Sequence, residues 1–354
     1  PTSVGWQIDP FGHFARLPRL LANSGFTHLV LGRMSHDTLY ALRMRHALQF
    51  LWQAKDTGGG GAAHHPLLTH FLSTHYAFPA KELDFDHTES CDVPRLLRVL
   101  RRYALQQVRQ YPGHGHVLVM LGDDFRYVAA ERAFACIDRL VAHQGLPGIT
   151  LRYSTPSEYF ASVEPHLLDP AQPLYRLKGD LYPYQDKPYE QYWAGILASR
   201  MRLKRAVRLA EHCVQHAEAL VAAGHVRARS SGLRDAWETT LEQHMEEARK
   251  QVAIGYHHDA ITGTCSHTAY LDYLDRLQHA ERTALRVARV ALLLSSGQAM
   301  TDALVSRELS TERRPELAYS TMQDHAHALD AALHVPASVC SAESCAGTLV
   351  VVSN

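Results

Sequence analysis

The 354-residue sequence lacks any excess of charge: 36 Lys and Arg stand against 36 Asp and Glu. A nucleic-acid-binding domain usually carries a basic surplus or stripe, and neither is present. No apolar run reaches the roughly 18 residues that a membrane-crossing helix needs. The first residues show no signal-peptide pattern. Asparagine occurs only at 23 and 354, and no N-x-S/T glycosylation acceptor exists. The six cysteines, at 91, 136, 213, 265, 340 and 345, include no C-x-x-C pair and are too few and scattered for a disulfide scaffold. Cys340 and Cys345 could close a small loop, so the redox compartment stays open. These absences argue against a DNA binder, a membrane protein and a disordered scaffold.

What is present is ordinary globular composition, 46% hydrophobic and 20% charged, over a length suited to roughly two domains at about 150 residues each. Histidine is the outlier, with 24 copies. Compositional bias accounts for most of them, because Arg and Ala are abundant too. Imidazole is nevertheless the side chain most used for metals and for proton transfer near neutral pH, so position decides the remainder.

The first half alternates short apolar runs with helical patterns. Gly5–Ile8 leads into Asp9, a helical stretch follows through Leu17, Leu20 and Leu21, and Phe26–Leu31 ends at Gly32-Arg33. The pattern then predicts helix as far as Trp52, a flexible loop at Gly58–Gly61 and a long helix over Val93–Val108. His116–Leu121 reads as the clearest buried strand, a helix is expected at about 129–143, and Ile149–Tyr153 reads as another strand. Apolar strands alternating with helices predict a parallel sheet covered by helices. From about residue 195 three long helical patterns follow, through Met201–Leu220, Leu233–Val252 and Leu271–Ala291. Their three- and four-residue spacing predicts a three-helix bundle. Residues 301–330 are weakly patterned, and Thr348–Val352 reads as the start of a further β region.

Functional groups in parallel α/β folds gather where strands end. Here those ends read I-D-P-F-G-H (Ile8–His13), G-R (Gly32-Arg33) and G-D-D-F-R-Y (Gly122–Tyr127). Two carboxylates from different strand ends are what glycoside hydrolysis needs, one attacking the anomeric carbon and one protonating the leaving oxygen. The ordinary role for Asp9 is a turn-forming Asp before Pro, and for Asp123-Asp124 a helix N-cap. A third signal is H-H-D-A-I-T-G-T, His257–Thr264, at the end of the second long helix. It could supply one metal ligand and two polar contacts, or be a solvated helix end. Asp9 and His258 alone are too few for zinc, which takes three or four protein groups.

Taken in order, G-W-Q-I-D-P-F-G-H, L-G-R, L-G-D-D-F-R-Y, Y-S-T-P-S-E-Y-F, G-D-L-Y-P-Y-Q-D, Y-W-A-G-I-L-A-S-R and H-H-D-A-I-T-G-T resemble the class II α-mannosidases, glycoside hydrolase family 38 of Golgi and lysosomal type, over about residues 5–275. The resemblance implies a zinc-dependent retaining hydrolase of α-mannosidic bonds in N-glycan-type oligosaccharides. It matches Asp9 to the nucleophile, which also binds the metal, and Asp124 to the general acid/base. Asp123 matches the neighbour whose like charge favours a protonated Asp124. His258 matches the zinc-ligand histidine, Asp259 a contact to sugar hydroxyls, and Phe11 and Arg33 pocket residues beside the nucleophile. His257 is taken as a substrate contact. Asp180, Asp186 and Trp193 fall in a segment lining the site and its approach. The secretory pathway is implied, the lysosome before the Golgi.

The expected fold is therefore α/β: a parallel, barrel-like (β/α) catalytic domain over residues 1–192, a three-helix bundle over 193–300 carrying His-His-Asp, and a linker with the start of a C-terminal β region over 301–354. The family's zinc site also takes a His-x-Asp upstream of I-D-P-F-G-H, a stretch absent from this sequence. The expectation is a central piece of a mannosidase that alone binds zinc weakly and hydrolyses little. Departures from the family pattern include Phe14 where Ser is usual and Ala77 where the Golgi type carries Asp. Two other readings compete: a metal-dependent deacetylase or amidohydrolase, and a truncated mannose-binding chain without catalysis.

Overall fold

The computed structural model describes residues 3–54, 66–85, 90–111, 113–128, 130–143, 148–167, 173–231, 236–295 and 302–310. The expected loop at Gly58–Gly61, the Cys340–Cys345 pair and the strand at Thr348–Val352 lie outside them. Within the described residues the chain is mixed α/β and divides into two compact units. The first takes Pro1–Arg208 with Ala253–Arg276, and the second takes Leu209–Val252 with the chain from Leu277.

In the first unit, five strands form one sheet: β1 (Val4–Gln7), β2 (His28–Leu31), β3 (Gln49–Gln53), β4 (Leu67–Phe71) and β5 (Arg176–Lys178), in the order β1-β2-β4-β3-β5. Its helices are α1 (Leu17–Asn23), α2 (His36–Met44), α3 (Val93–Gln107), α4 (Ala130–Ala142) and α5 (Pro156–Leu167). β1, β2 and β4 run parallel, which puts their C-terminal ends on one edge of the sheet. Glycine makes that edge compact. A Cβ on Gly32 would run into the backbone carbonyl of Ile8, so only glycine lets the ends of β1 and β2 come together.

The sheet is not wholly parallel, because β3 runs antiparallel to β4. The stretch before Trp52 is not one helix: α2 stops at Met44, His46 takes a positive φ of 53°, and β3 follows. β3 lies between β4 and β5, with Phe50 and Trp52 fully buried. A central strand reads as a continuous apolar run, which periodicity cannot separate from a buried helix. Finally, among the described residues His116–Leu121 and Ile149–Tyr153 form no ladder. Val119 and Leu121 pack on the α3/α4 core, whereas Leu118 and Met120 pack on the core around Val30, Leu68 and Phe160. The segment alternates between two cores without pairing with a strand, and apolar alternation reports burial rather than hydrogen bonding.

Capping defines the helices around this sheet. Asp92 accepts from the backbone N–H of Arg95 at the start of α3. At α5, Thr155 N–H donates to Glu158 Oε2 at 2.7 Å and Glu158 N–H to Thr155 Oγ1 at 3.2 Å, a reciprocal capping box followed by Pro156 in the first turn. A disulfide joins Cys91, beside the start of α3, to Cys136 in α4.

Three long helices follow, α6 (Met201–Ser231), α7 (Ala236–Gly255) and α8 (His267–Ser295), with a short α9 (Asp302–Leu309). In the second unit each long helix buries one stripe: Ala210, Val214, Ala217 and Val221 on α6, Leu241, Met245, Ala248 and Val252 on α7, and Leu277, Ala280, Ala284 and Val287 on α8. This three-to-four spacing is the sequence pattern realised as burial. Arg249 of α7 pairs with Glu218 of α6 at 2.6 Å. No helix among the described residues is long and apolar enough to cross a membrane.

Candidate active site

The shared edge of β1, β2 and β4 carries Asp9, Arg33 and the pair His75-Tyr76, each within a few residues of a strand end. Arg33 Nε donates to Asp9 Oδ1 at 2.5 Å, and the second Asp9 oxygen faces His258 Nε2 at 3.0 Å. Asp9 is thus engaged on both oxygens, and its side chain is only 16% exposed. Gly32 makes the Arg33 contact available by bringing the two strand ends together.

Arg33 is held in turn. Its Nη1 donates to the Tyr184 hydroxyl at 3.0 Å, and that hydroxyl donates to Asp186 Oδ1 at 2.6 Å. The guanidinium carbon lies 5.4 Å from the Phe11 ring centre and 5.5 Å from those of Tyr184 and Trp193. Burial alone would lower the Arg33 pKa, but hydrogen bonds to Asp9 and Tyr184 and the charge of Asp9 outweigh it and raise it. The Tyr184 hydroxyl is pushed up to about 12, by burial first and then by donation to Asp186, with Arg33 opposing.

The His-His-Asp motif occupies the turns after α7. The rings of His257 and His258 lie 4.3 Å apart, and His257 Nε2 is 3.6 Å from Asp259 Oδ2. Thr264 donates to Asp259 Oδ1 at 2.6 Å, and Thr262 bonds the carbonyl of His258, so T-G-T braces the turn that carries the motif. The potential ligand atoms of His257, His258 and Asp259 lie within 4.8 Å of one another. Phe11 touches this group edge-on, with its ring 6.3 Å from that of His258. A cavity of about 260 Å³ opens beside Phe11 and His258, lined also by Pro10, Phe14, Tyr182 and Tyr256.

Asp123 and Asp124 stand on the extended segment rather than on a strand end. Asp124 N–H donates to Asp123 Oδ1 at 2.8 Å, and Asp124 Oδ1 accepts from the Tyr76 hydroxyl at 3.3 Å. Tyr76 connects the two carboxylates of the sequence reading. Its hydroxyl is pushed up to about 12 by burial first and then by the negative charges of Asp9 and Asp124, with Arg33 opposing. His75 beside it is held below the ordinary imidazole value by burial first and then by the charge of Arg33, with Asp9, Asp186 and Asp123 opposing.

The expected residues Asp9, Phe11, Arg33, His257, His258 and Asp259 therefore come together, with Asp123 and Asp124 joined to them through the Tyr76 side. Asp186 and Trp193 belong to the Arg33 surroundings. Asp180 stands apart, accepting from Ala15 N–H at 2.6 Å to hold the loop after β1. Three residues were missed by the patterning: His75, Tyr76 and Tyr184. The first two follow the apolar run P-L-L-T-H-F-L, and reading that run as a strand would have placed T-H-Y at a strand end. Tyr184 lies inside the G-D-L-Y-P-Y-Q-D motif, where nothing in the pattern sets it apart from Tyr182.

The description "Glycosyl hydrolases family 38 N-terminal domain" matches residues 1–187, and "Alpha mannosidase middle domain" matches residues 191–294. Alpha-mannosidase F of Dictyostelium discoideum is 30% identical over 285 residues, covering 78% of this chain and 27% of the relative. The lysosomal alpha-mannosidase of the same organism is 29% identical, with 77% and 27% covered. Alpha-mannosidase 2 of Drosophila melanogaster is 28% identical, with 78% and 27% covered. The chain thus spans about a quarter of the length of these curated relatives. Among solved structures, an alpha-mannosidase from Enterococcus faecalis V583 shares the fold at a TM-score of 0.60 and 17% identity, covering 84% of this chain and 30% of that one. With family motifs at the ends of its strands and family domains along most of its length, this chain belongs to glycosyl hydrolase family 38, among the class II α-mannosidases.

Proposed function

We propose that this chain carries the nucleophile, the general acid/base and part of the metal site of a zinc-dependent retaining α-mannosidase acting on mannose-containing N-glycan-type oligosaccharides. The observation that carries the reading is Asp9 gripped between Arg33 and His258, with Asp124 bonded to a tyrosine that feels both carboxylates. In the first step an Asp9 oxygen attacks the anomeric carbon while the bond to the leaving oxygen breaks and the Asp124 proton passes to that oxygen. Water then attacks the anomeric carbon, gives a proton to Asp124 and frees Asp9, which retains the configuration. Asp123 accepts from the Asp124 backbone N–H at 2.8 Å and so fixes the turn from which the Asp124 side chain projects.

Asp9 and His258 fit a zinc site in donor chemistry, one carboxylate oxygen and one imidazole nitrogen 3.0 Å apart. Zinc bound there supplies Lewis-acid polarisation of sugar hydroxyls. Asp259, braced by Thr264, and His257 are placed to bind hydroxyls of the same sugar. The architecture is read as part of a barrel-like catalytic domain followed by a three-helix bundle, the bundle supported by one buried stripe on each long helix. The Cys91–Cys136 disulfide supports an oxidising compartment, hence the secretory pathway, and the lysosome is favoured over the Golgi.

The test uses the full natural polypeptide with zinc supplied. Hydrolysis of an aryl α-mannoside should yield α-mannose first, as followed by proton NMR. A fluorinated mannoside that traps the covalent intermediate should label Asp9 by peptide mass spectrometry. Inverted product, or a label on another residue, sinks the reading. Mannose binding with no turnover and no zinc dependence would instead favour the mannose-binding chain without catalysis.

A further inference from the structure

We infer that Tyr184 and Asp186 are positioning residues for the Asp9 carboxylate, acting through Arg33 as a hydrogen-bonded relay; this rests on reading Asp9 as the nucleophile. The relay is continuous over three bonds. Tyr184 O–H donates to Asp186 Oδ1 at 2.6 Å, Arg33 Nη1 donates to the Tyr184 oxygen at 3.0 Å, and Arg33 Nε donates to Asp9 Oδ1 at 2.5 Å.

The direction of every bond is forced by chemistry. A guanidinium only donates and an ionised carboxylate only accepts, whereas a phenol does both. With Asp186 taking the phenol proton, a lone pair of the Tyr184 oxygen is left facing Arg33. Without Asp186 that proton is free to turn toward Nη1, where two donors would oppose each other. Asp186 therefore sets the orientation of a group it does not touch.

The aromatic surroundings explain why a hydroxyl is needed. Phe11, Tyr184 and Trp193 attract the Arg33 cation from 5.4–5.5 Å, but the attraction of a ring for a cation does not set the direction of each N–H. The Tyr184 hydroxyl does. Tyr184 is 2% exposed, its ring meets Trp193 edge-on at 4.9 Å, and its carbonyl accepts from Trp193 N–H at 2.8 Å, so the hydroxyl cannot swing away. The consequence falls on Asp9, whose oxygens have different partners, Arg33 on Oδ1 and His258 on Oδ2. A rotated Arg33 would leave the carboxylate free to turn about its Cβ–Cγ bond, and misplacement of about 1 Å at a reacting group costs up to roughly 100-fold in rate.

The experiment compares Tyr184→Phe, Asp186→Ala and the double variant in the full natural polypeptide with zinc, on an aryl α-mannoside. Each single variant should lower kcat roughly 10- to 100-fold with KM within about twofold, and the double variant should fall no further than Tyr184→Phe, because the pair acts as one unit. An unchanged kcat, a KM rise accounting for the whole loss, or losses that multiply in the double variant would overturn the relay. A second readout needs no turnover. The Arg33 Nε–H resonance should be downfield and slow to exchange with solvent in the wild type, and should shift or broaden in both single variants; an unmoved resonance also overturns the relay. A wild type that hydrolyses no α-mannoside overturns the nucleophile reading itself, and the resonance then reports separately whether the hydrogen-bonded chain exists.

Discussion

Asp9 is gripped on both oxygens, at 2.5 Å by Arg33 and 3.0 Å by His258, whereas among the described residues Asp124 takes one side-chain bond, from Tyr76 at 3.3 Å, on an exposed stretch of chain. The first carboxylate follows a strand of the sheet; the second follows a segment that packs on two cores and pairs with no strand. This contrast suits the proposed division of labour. A nucleophile gains from a fixed direction of attack, while an acid/base must deliver a proton in one step and take one in the next. A two-sided grip therefore belongs to the sheet edge, and a one-sided, exposed hold to the segment carrying Asp123 and Asp124.

The contrast can be broken first on the rigid side. Gly32→Ala sets a methyl against the Ile8 carbonyl and pries Arg33 from Asp9, so a loss of ~4 kcal/mol or more in stability is expected by denaturant titration. A variant as stable as the wild type would show that the two strand ends have room to separate. The Asp124 side should answer to the disulfide. Cys91 and Cys136 lie 45 residues apart and bracket the stretch that carries Asp123 and Asp124, so replacing both by Ser should cost about 3–4 kcal/mol in the same assay. Activity per folded molecule should fall through Asp124 chemistry, while trapping at Asp9 with an activated substrate persists.

Acid pH probes what lies behind the rigid side. His13 is buried just after the Asp9 loop, and burial lowers its pKa from 6.5 to about 4 despite a bond to the Arg33 backbone. His70, within the sheet, is lowered to about 3 by burial and by His114, and His114 to about 4 by burial and then by His116. Since folding lowers these values, the unfolded chain takes up protons first as pH falls. Stability should be full above about pH 6.5 and decline through pH 4, by roughly 3 kcal/mol from His13 alone. His13→Gln should flatten that slope, measured as melting temperature against pH. The smallest effect sharpens the contrast: Tyr76→Phe removes the side-chain bond that Asp124 takes among the described residues and should lower kcat/KM about 5- to 10-fold, with folding stability changed by under about 1 kcal/mol.

Legibility followed the kind of signal each residue carried. I-D-P-F-G-H, L-G-R and H-H-D-A-I-T-G-T were legible because strand ends and a glycine-terminated turn leave local marks, and the structure brings Asp9, Arg33 and His258 together. The helices α3, α6, α7 and α8 were legible because long amphipathic spacing survives in one dimension. β3 is indistinguishable from helix in the sequence because a strand flanked on both sides has no polar face to alternate. The T-P-S-E capping box announces α5 locally, whereas β4 is a short run behind the glycines whose pattern does not distinguish it from a loop, so His75 and Tyr76 carry no mark of a strand end.

By itself, then, the sequence determined the family motifs, the residue types that could act on a glycosidic bond, and the long helices, all properties carried by neighbours along the chain. Only the tertiary structure decided that β3 runs antiparallel to β4, that Cys91 pairs with Cys136, and that Tyr184 and Asp186 stand behind Arg33. The reason is the same in each case. Strand direction, disulfide pairing and the Asp186–Tyr184–Arg33–Asp9 chain depend on which distant segments share a surface, and Asp9 and Asp186 are brought to one network by a sheet edge that no local pattern encodes.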